Sequence, residues 1–285
     1  NAYSDFATAK IFKLKRRPKK NPLIVHYASL QMLKKDCKIN SNFLKLFKKF
    51  CPGPITLILK LKKNSKISKN VTNNKKTLAV RFPKKDITIK LLRSINYPLA
   101  APSANISTKI SPITKGDVKE EFGKKIKFIL DGGRSEIGLE STIVSLINKP
   151  KILRLGGIEI SKIKKTLGSK IEYSPKDKNI ASPGQGKVHY SPGIRIRLNI
   201  KIPKKDEAFI LIKKRKNYGK NYFYLTKNEN LKEAAKNLYK TLRMIKKKNF
   251  KSIAVEKIPD KSFGQAINDR LNRASKFQWK ILLKL

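Results

Sequence analysis

At 285 residues the chain has room for one large or two modest domains, each with its own core, and its 39% hydrophobic content fits a globular protein. No run approaches the roughly 18 consecutive apolar residues of a membrane helix, and Cys37 and Cys51 lack a second pair or a histidine cluster, which argues against a disulfide framework or structural zinc and makes a reducing cytosol the default. The net charge of +49 points to nucleic acid or another anionic partner, but only 12 of the 68 basic residues are arginine and the lysines are dispersed, so surface composition competes with a dedicated nucleic-acid face.

In chain order, residues 3–15 have helical spacing, and this opening lacks the apolar core region and cleavage site of a secretory signal. The basic run "KLKRRPKK" (13–20) places six charges in eight positions and passes directly into the apolar "NPLIVH" (21–26). A solvated charge run and an anion site both fit that composition; the Pro-fixed turn and strand-like segment would hold Lys15, Arg17, Asn21 and His26 in defined relative positions. Residues 41–50 predict a helix with Phe43, Leu44, Phe47 and Phe50 on one face. Short apolar or alternating runs at 55–61, 77–82, 98–101, 127–131, 141–147 and 152–155 predict strands, with helices at 86–95, 114–122 and 159–167 between them. This alternation describes an α/β domain on a mostly buried sheet, ending near residue 175. Residues 174–205 are polar, rich in Pro and Gly and without periodicity, which describes a tether or a lid. Strand patterns at 207–213, 221–225 and 252–258, with helices near 228–247 and 262–275, make a second α/β unit.

Two further stretches carry chemical content. In "AAPSANISTKISP" (100–112), small residues allow close backbone approach, and Ser103, Asn105, Ser107 and Ser111 offer neutral donors just beyond a strand end, where α/β sheets bind ligands; an ordinary Ser/Asn turn fits equally. In "DGGRSEIGLESTIV" (131–144), Gly132 and Gly133 turn the chain ahead of a strand opened by Ser141 and Thr142. Neither Gly-x-x-x-x-Gly-Lys-[Ser/Thr] nor Gly-x-Gly-x-x-Gly occurs. With His26 and His189 the only histidines, no nucleophile–base pair is expected, and no metal site.

Taken in order, "KIFKLKRRPKKNPLIVH", "CPGPITLIL", "TLAVRFP", "PLAAPSANIS", "SPITKGDV", "ILDGGRSEIGLESTIVSL" and "ILRLGGI" resemble the threonylcarbamoyl-adenylate synthases, the YrdC-like family. "SPGQGKVHYSP" and "FGQAINDRLNRAS" resemble the C-terminal extension of its longer form. The resemblance implies a YrdC-like twisted mixed sheet with helices over residues 1–175, a linker or lid over 176–205, and a smaller Rossmann-like α/β domain over 206–285. It implies a cytoplasmic nucleotidyltransferase that condenses L-threonine, bicarbonate and ATP, with Mg2+ on the nucleotide, to threonylcarbamoyladenylate and pyrophosphate. A tRNA-threonylcarbamoyl transfer complex would then use the product on the adenosine beside the anticodon.

The family's Lys-x-Arg and Ser-x-Asn signature falls on Lys15, Arg17, Ser103 and Asn105, with Lys15 and Arg17 expected to be catalytic. Arg17, Asn21, Ser103, Asn105, Ser111, Arg154 and Tyr190 match nucleotide contacts, and His26, Arg81, Ala101 and Ser141 match the threonine pocket. Family members begin with a strand and a Thr-containing loop that contacts threonine; nothing similar precedes Asn1, so activity is expected to need an N-terminal portion absent from these 285 residues. The competing readings are a module whose basic sheet face binds tRNA or double-stranded RNA, and a related carbamoyl-transfer enzyme.

Overall fold

The computed structural model describes residues 1–168, 171–174, 189–216 and 219–276. In chain order the elements are α1 (Asp5–Lys15), β1 (Ile24–His26), α2 (Leu30–Asp36), α3 (Ser41–Phe50), β2 (Ile55–Lys60), α4 (Lys69–Thr72), β3 (Thr77–Arg81), α5 (Asp86–Arg93), β4 (Leu99–Ala100), α6 (Lys115–Phe122), β5 (Thr142–Ser145), β6 (Lys151–Arg154), α7 (Ile160–Leu167) and β7 (Glu172–Tyr173). There follow β8 (Arg195–Arg197), β9 (Glu207–Lys213), β10 (Tyr222–Thr226), α8 (Leu231–Lys247), β11 (Ser252–Val255) and α9 (Phe263–Ser275). No helix among the described residues is long and apolar enough to cross a membrane.

Packing divides the chain into two compact units. The first joins Asn1–Ile106 to Glu140–Gly186, and the second joins Ser107–Leu139 to Lys187–Leu285. The division is therefore discontinuous, where the sequence reading drew contiguous boundaries at 175 and 205.

The first unit is built on a mixed seven-stranded sheet in the order β4-β1-β3-β2-β5-β6-β7. On one face Ile24, Ile58, Ala79, Ile143 and Leu153 form a buried cluster. Because side chains two apart share a face of a strand, His26 stands beyond Ile24, Arg81 beyond Ala79 and Thr56 beyond Ile58. The register pairs His26 with Arg81, and the antiparallel β2–β3 ladder, which pairs Leu57 with Val80, brings Thr56 level with Arg81, so these polar residues form one row at the end of the apolar face. Helix α3 is capped by the Asn40 side chain on the Phe43 amide and buries Phe43 and Leu46. Leu44, expected on that face, is exposed.

The second unit carries four parallel strands in the order β10-β9-β11-β8, and the run Ala208–Ile212 is buried throughout, as a parallel sheet covered on both faces requires. The expected twisted mixed sheet and smaller α/β unit are thus both present. One expected strand does not form: residues 127–131 are irregular, and Phe128 is 90% exposed. Their alternation satisfied the pattern, but no neighbouring strand among the described residues supplies a ladder. Conversely, β8 lies inside the stretch read as a linker, because its parallel pairing with β11 holds it in the second sheet.

Candidate active site

Helix α1 starts on the Ser4 side chain, which accepts from the Ala7 amide, and stops at Arg16, which adopts a left-handed conformation with φ 48°. That reversal sorts the basic run. Lys15 and Arg17 are only 4% and 7% exposed, whereas Lys13, Arg16, Lys19 and Lys20 stand in solvent. Burying a cation is costly unless it is hydrogen-bonded, and both are. The Lys15 ammonium donates to the carbonyl oxygens of Ser103 and Asn105. Arg17 donates from Nε to the Asn21 carbonyl at 2.9 Å and from Nη2 to the Pro22 carbonyl at 2.8 Å. The two halves of the four-residue signature, 88 positions apart at Lys15 and Ser103, therefore meet. Asn105 is itself buried and donates from Nδ2 to the Ile106 carbonyl at 2.8 Å. The Asn21 Oδ1 is buried without a hydrogen-bond partner among the described residues, as is His26 Nδ1.

A second cluster occupies the row at the end of the sheet. Arg154, buried at the end of β6, donates from Nε and Nη2 to the Ser141 carbonyl at 3.1 and 2.9 Å, and from Nη2 to Ser141 Oγ at 3.0 Å. Ser141 Oγ lies 2.7 Å from Thr56 Oγ1. Arg81 donates from Nε to the Gly53 carbonyl at 3.3 Å. Burial, with the Arg154 charge added, lowers Arg81 to about 10, so it stays cationic near neutrality. Two guanidiniums that repel one another in a buried place favour an anion between or beside them. Burial, reinforced by Arg81, drops His26 to about 3. Ala101 is exposed, and its amide donates to the Ile24 carbonyl at 3.0 Å, which fixes the start of the 101–106 loop against β1.

The neutral His26 has a measurable consequence. Its folded value lies below the unfolded value near 6.5, so as the pH falls only the unfolded chain gains this proton, and stability is lost between about 6.5 and 3. From pH 7 to 5, wild-type unfolding free energy in urea is expected to drop by about 2 kcal/mol more than that of His26→Gln. Equal slopes would refute the burial of a neutral ring.

Ser111 and Tyr190 belong to the second unit. Ser111 is buried beside Ile110, whose carbonyl accepts from Arg243 Nη2 at 3.0 Å. Tyr190, 1% exposed, stacks on Tyr239 with ring centroids 5.9 Å apart and receives the Arg270 guanidinium 4.8 Å from its ring centre. Replacing Tyr190 by Ala is expected to destabilise this unit by about 3 kcal/mol, read as lost hydrogen-exchange protection in α9; unchanged protection would show that the ring is dispensable. Of the expected lid, residues 175–188 lie outside the described residues.

The sequence reading missed Thr56, which anchors Ser141, and Gly156, where an added Cβ would stand 2.3 Å from the Glu140 carbonyl oxygen. The only sequence signals were a threonine inside "CPGPITLIL" and a glycine pair after β6.

Comparison with known proteins places this arrangement. A family profile described as "Telomere recombination" matches residues 1–156, and one for the threonylcarbamoyl-AMP synthase C-terminal domain matches 158–276. The threonylcarbamoyl-AMP synthase of Pyrococcus abyssi is 36% identical over 98% of this chain and 87% of its own. That of Bacillus subtilis is 33% identical over 96% and 85%, respectively. The crystal structure of P. abyssi Sua5 complexed with L-threonine superposes with a TM-score of 0.88 at 33% identity, covering 98% of this chain and 87% of that one. With both profiles matched in order and relatives aligned almost end to end, the chain belongs to the threonylcarbamoyl-AMP synthase family, in the form that carries a C-terminal domain.

Proposed function

We propose that the protein condenses L-threonine, bicarbonate and ATP to L-threonylcarbamoyladenylate and pyrophosphate, for threonylcarbamoyl modification of the tRNA adenosine beside the anticodon. The observation that carries this reading is selective burial. Of the six basic residues within positions 13–20, the chain sequesters Lys15 and Arg17 and sets Lys15 against the Ser103–Asn105 loop. A non-specific grip on nucleic acid has no use for that selection, or for the neutral Ser103, Asn105 and Ser141.

Threonine's amine takes up the bicarbonate-derived carbon with loss of water. The resulting carbamate oxygen attacks the α-phosphorus, and pyrophosphate leaves with the electron pair of the broken P–O bond. Bringing two anions together and neutralising the charge that develops is work for fixed cations and needs no covalent intermediate on the enzyme. In this reading Lys15, Arg17 and Arg154 face the phosphates, and Asn21, Ser103 and Asn105 complete the nucleotide contacts of the first unit; for Ser111 and Tyr190, in the second unit, a nucleotide role rests on the family resemblance alone. Magnesium arrives with ATP as part of the substrate. Arg81 takes the threonine carboxylate as a guanidinium fork, and His26, Ala101 and Ser141 line the amino-acid side. The neutral His26 ring, with Nδ1 buried and unpartnered among the described residues, suits a ligand hydroxyl or amine better than a second carboxylate. The threonine bound in the P. abyssi structure supports the same substrate here.

The test is pyrophosphate release from ATP by the complete gene product, with threonine and bicarbonate omitted in turn. Release is expected only when both are present.

A further inference from the structure

We infer a second anion-binding site, for a phosphate-bearing ligand, in the cavity between α1 and α4. The cavity, of about 410 Å3, is lined by Lys13, Arg17, Lys19, Lys69, Asn70 and Asn73, with Phe12 at its apolar side. No carboxylate lines it. Lys13, Lys19 and Lys69 have no carboxylate partner among the described residues. Asp5, the nearby acid on α1, is engaged elsewhere by the Ser68 hydroxyl at 2.5 Å. Three lysines around one cavity repel each other, and with no carboxylate in the lining an external anion relieves that repulsion.

The polar wall is also built rather than incidental. Asn70 donates from Nδ2 to the Asp5 carbonyl at 3.2 Å, which ties α4 to α1. Asn73 and Asn74 both adopt left-handed backbone, with φ 52° and 59°, and Asn73 Nδ2 reaches the Lys20 carbonyl at 3.5 Å. Asn73 is the left-handed C-cap of α4, with its amide on the Lys69 carbonyl, so the helix end fixes where this wall begins. Lys13 and Lys19 thus share a wall with Arg17 while Lys15 turns to the Ser103–Asn105 loop. The site shares Arg17 with the nucleotide contacts proposed above and is otherwise made of residues to which that reaction gives no role. Its ligand supplies clustered phosphates, either as a free oligophosphate or along an RNA strand.

The experiment compares the complete protein with Lys13→Glu/Lys69→Glu and with Lys124→Glu/Lys125→Glu, which changes net charge equally at exposed lysines elsewhere. Binding of inorganic triphosphate and of a single-stranded RNA oligonucleotide is titrated at fixed salt, with thermal unfolding as the folding control. The cavity variant is expected to bind one triphosphate fewer, since the nucleotide site stays intact, or to lose at least about tenfold in RNA affinity, while the control keeps its stoichiometry and changes less than about twofold in affinity. Loss for triphosphate identifies a free oligophosphate as ligand; loss for RNA alone identifies backbone phosphates. Equal losses in the two variants, or no loss in either, would overturn the site. Pyrophosphate release is measured separately, so failure of the reaction and failure of this site are distinguishable.

Discussion

Replacing Lys15 by Ala is expected to lower threonylcarbamoyladenylate formation by about 100- to 1,000-fold, the usual effect of removing one preorganised charge donor from a transition state. The side chain is almost wholly buried and holds the Ser103 and Asn105 carbonyls from a helix end that is distant in sequence. Its loss therefore removes a charge and also frees the loop that carries the neutral donors. Lys15→Arg should not rescue activity, since the slot admits a compact ammonium and a planar guanidinium needs a wider fork. Lys20→Ala, at an exposed position of the same run, should leave the rate unchanged. Equal effects at Lys15 and Lys20 would mean that the run acts by charge alone, and the assignment of a specific site would fall.

Gly156→Ala is expected to be nearly as damaging without touching any charged group. A Cβ there would stand 2.3 Å from the Glu140 carbonyl oxygen and 2.6 Å from both the Ser141 carbonyl carbon and the Thr142 amide nitrogen. All three are backbone atoms at the start of β5, so the strand must move. Such overpacking costs about 1–3 kcal/mol, visible as a lower thermal midpoint. Ser141 would shift relative to Arg154 and Thr56, which it now joins, and a displacement of that order near reacting groups costs about 100-fold in rate. A variant with wild-type turnover would show that the Ser141–Arg154 contact plays no part in the reaction.

Much of this was readable from the chain. The helices at α1, α3, α7, α8 and α9 and the strands β2, β3 and β9 follow from periodicity and lie close to where it predicts them, because each is decided by its own residues. The placement of His26 and Arg81 follows from strand alternation once β1 and β3 are known to pair. What could not be read depends on distant partners. Residues 127–131 carry a strand pattern without a neighbouring strand among the described residues, while β8, in which Ile196 lies between Arg195 and Arg197, becomes a strand only through β11. Residues 107–139 join the second unit partly because Gly138, at φ 74°, lies so close to the backbone of α8 that a Cβ would approach the Lys236 carbonyl oxygen to 2.5 Å. The sorting of the basic run is also unreadable from composition, since it turns on one left-handed residue, Arg16.

The central claim is that these buried cations serve a three-substrate condensation, and pyrophosphate release by the complete gene product tests it most directly. The account predicts release from ATP that requires threonine and bicarbonate together and disappears when either is withheld or when Arg17 is replaced by Ala. Release at the same rate without threonine, or an undiminished rate in Arg17→Ala, would contradict it.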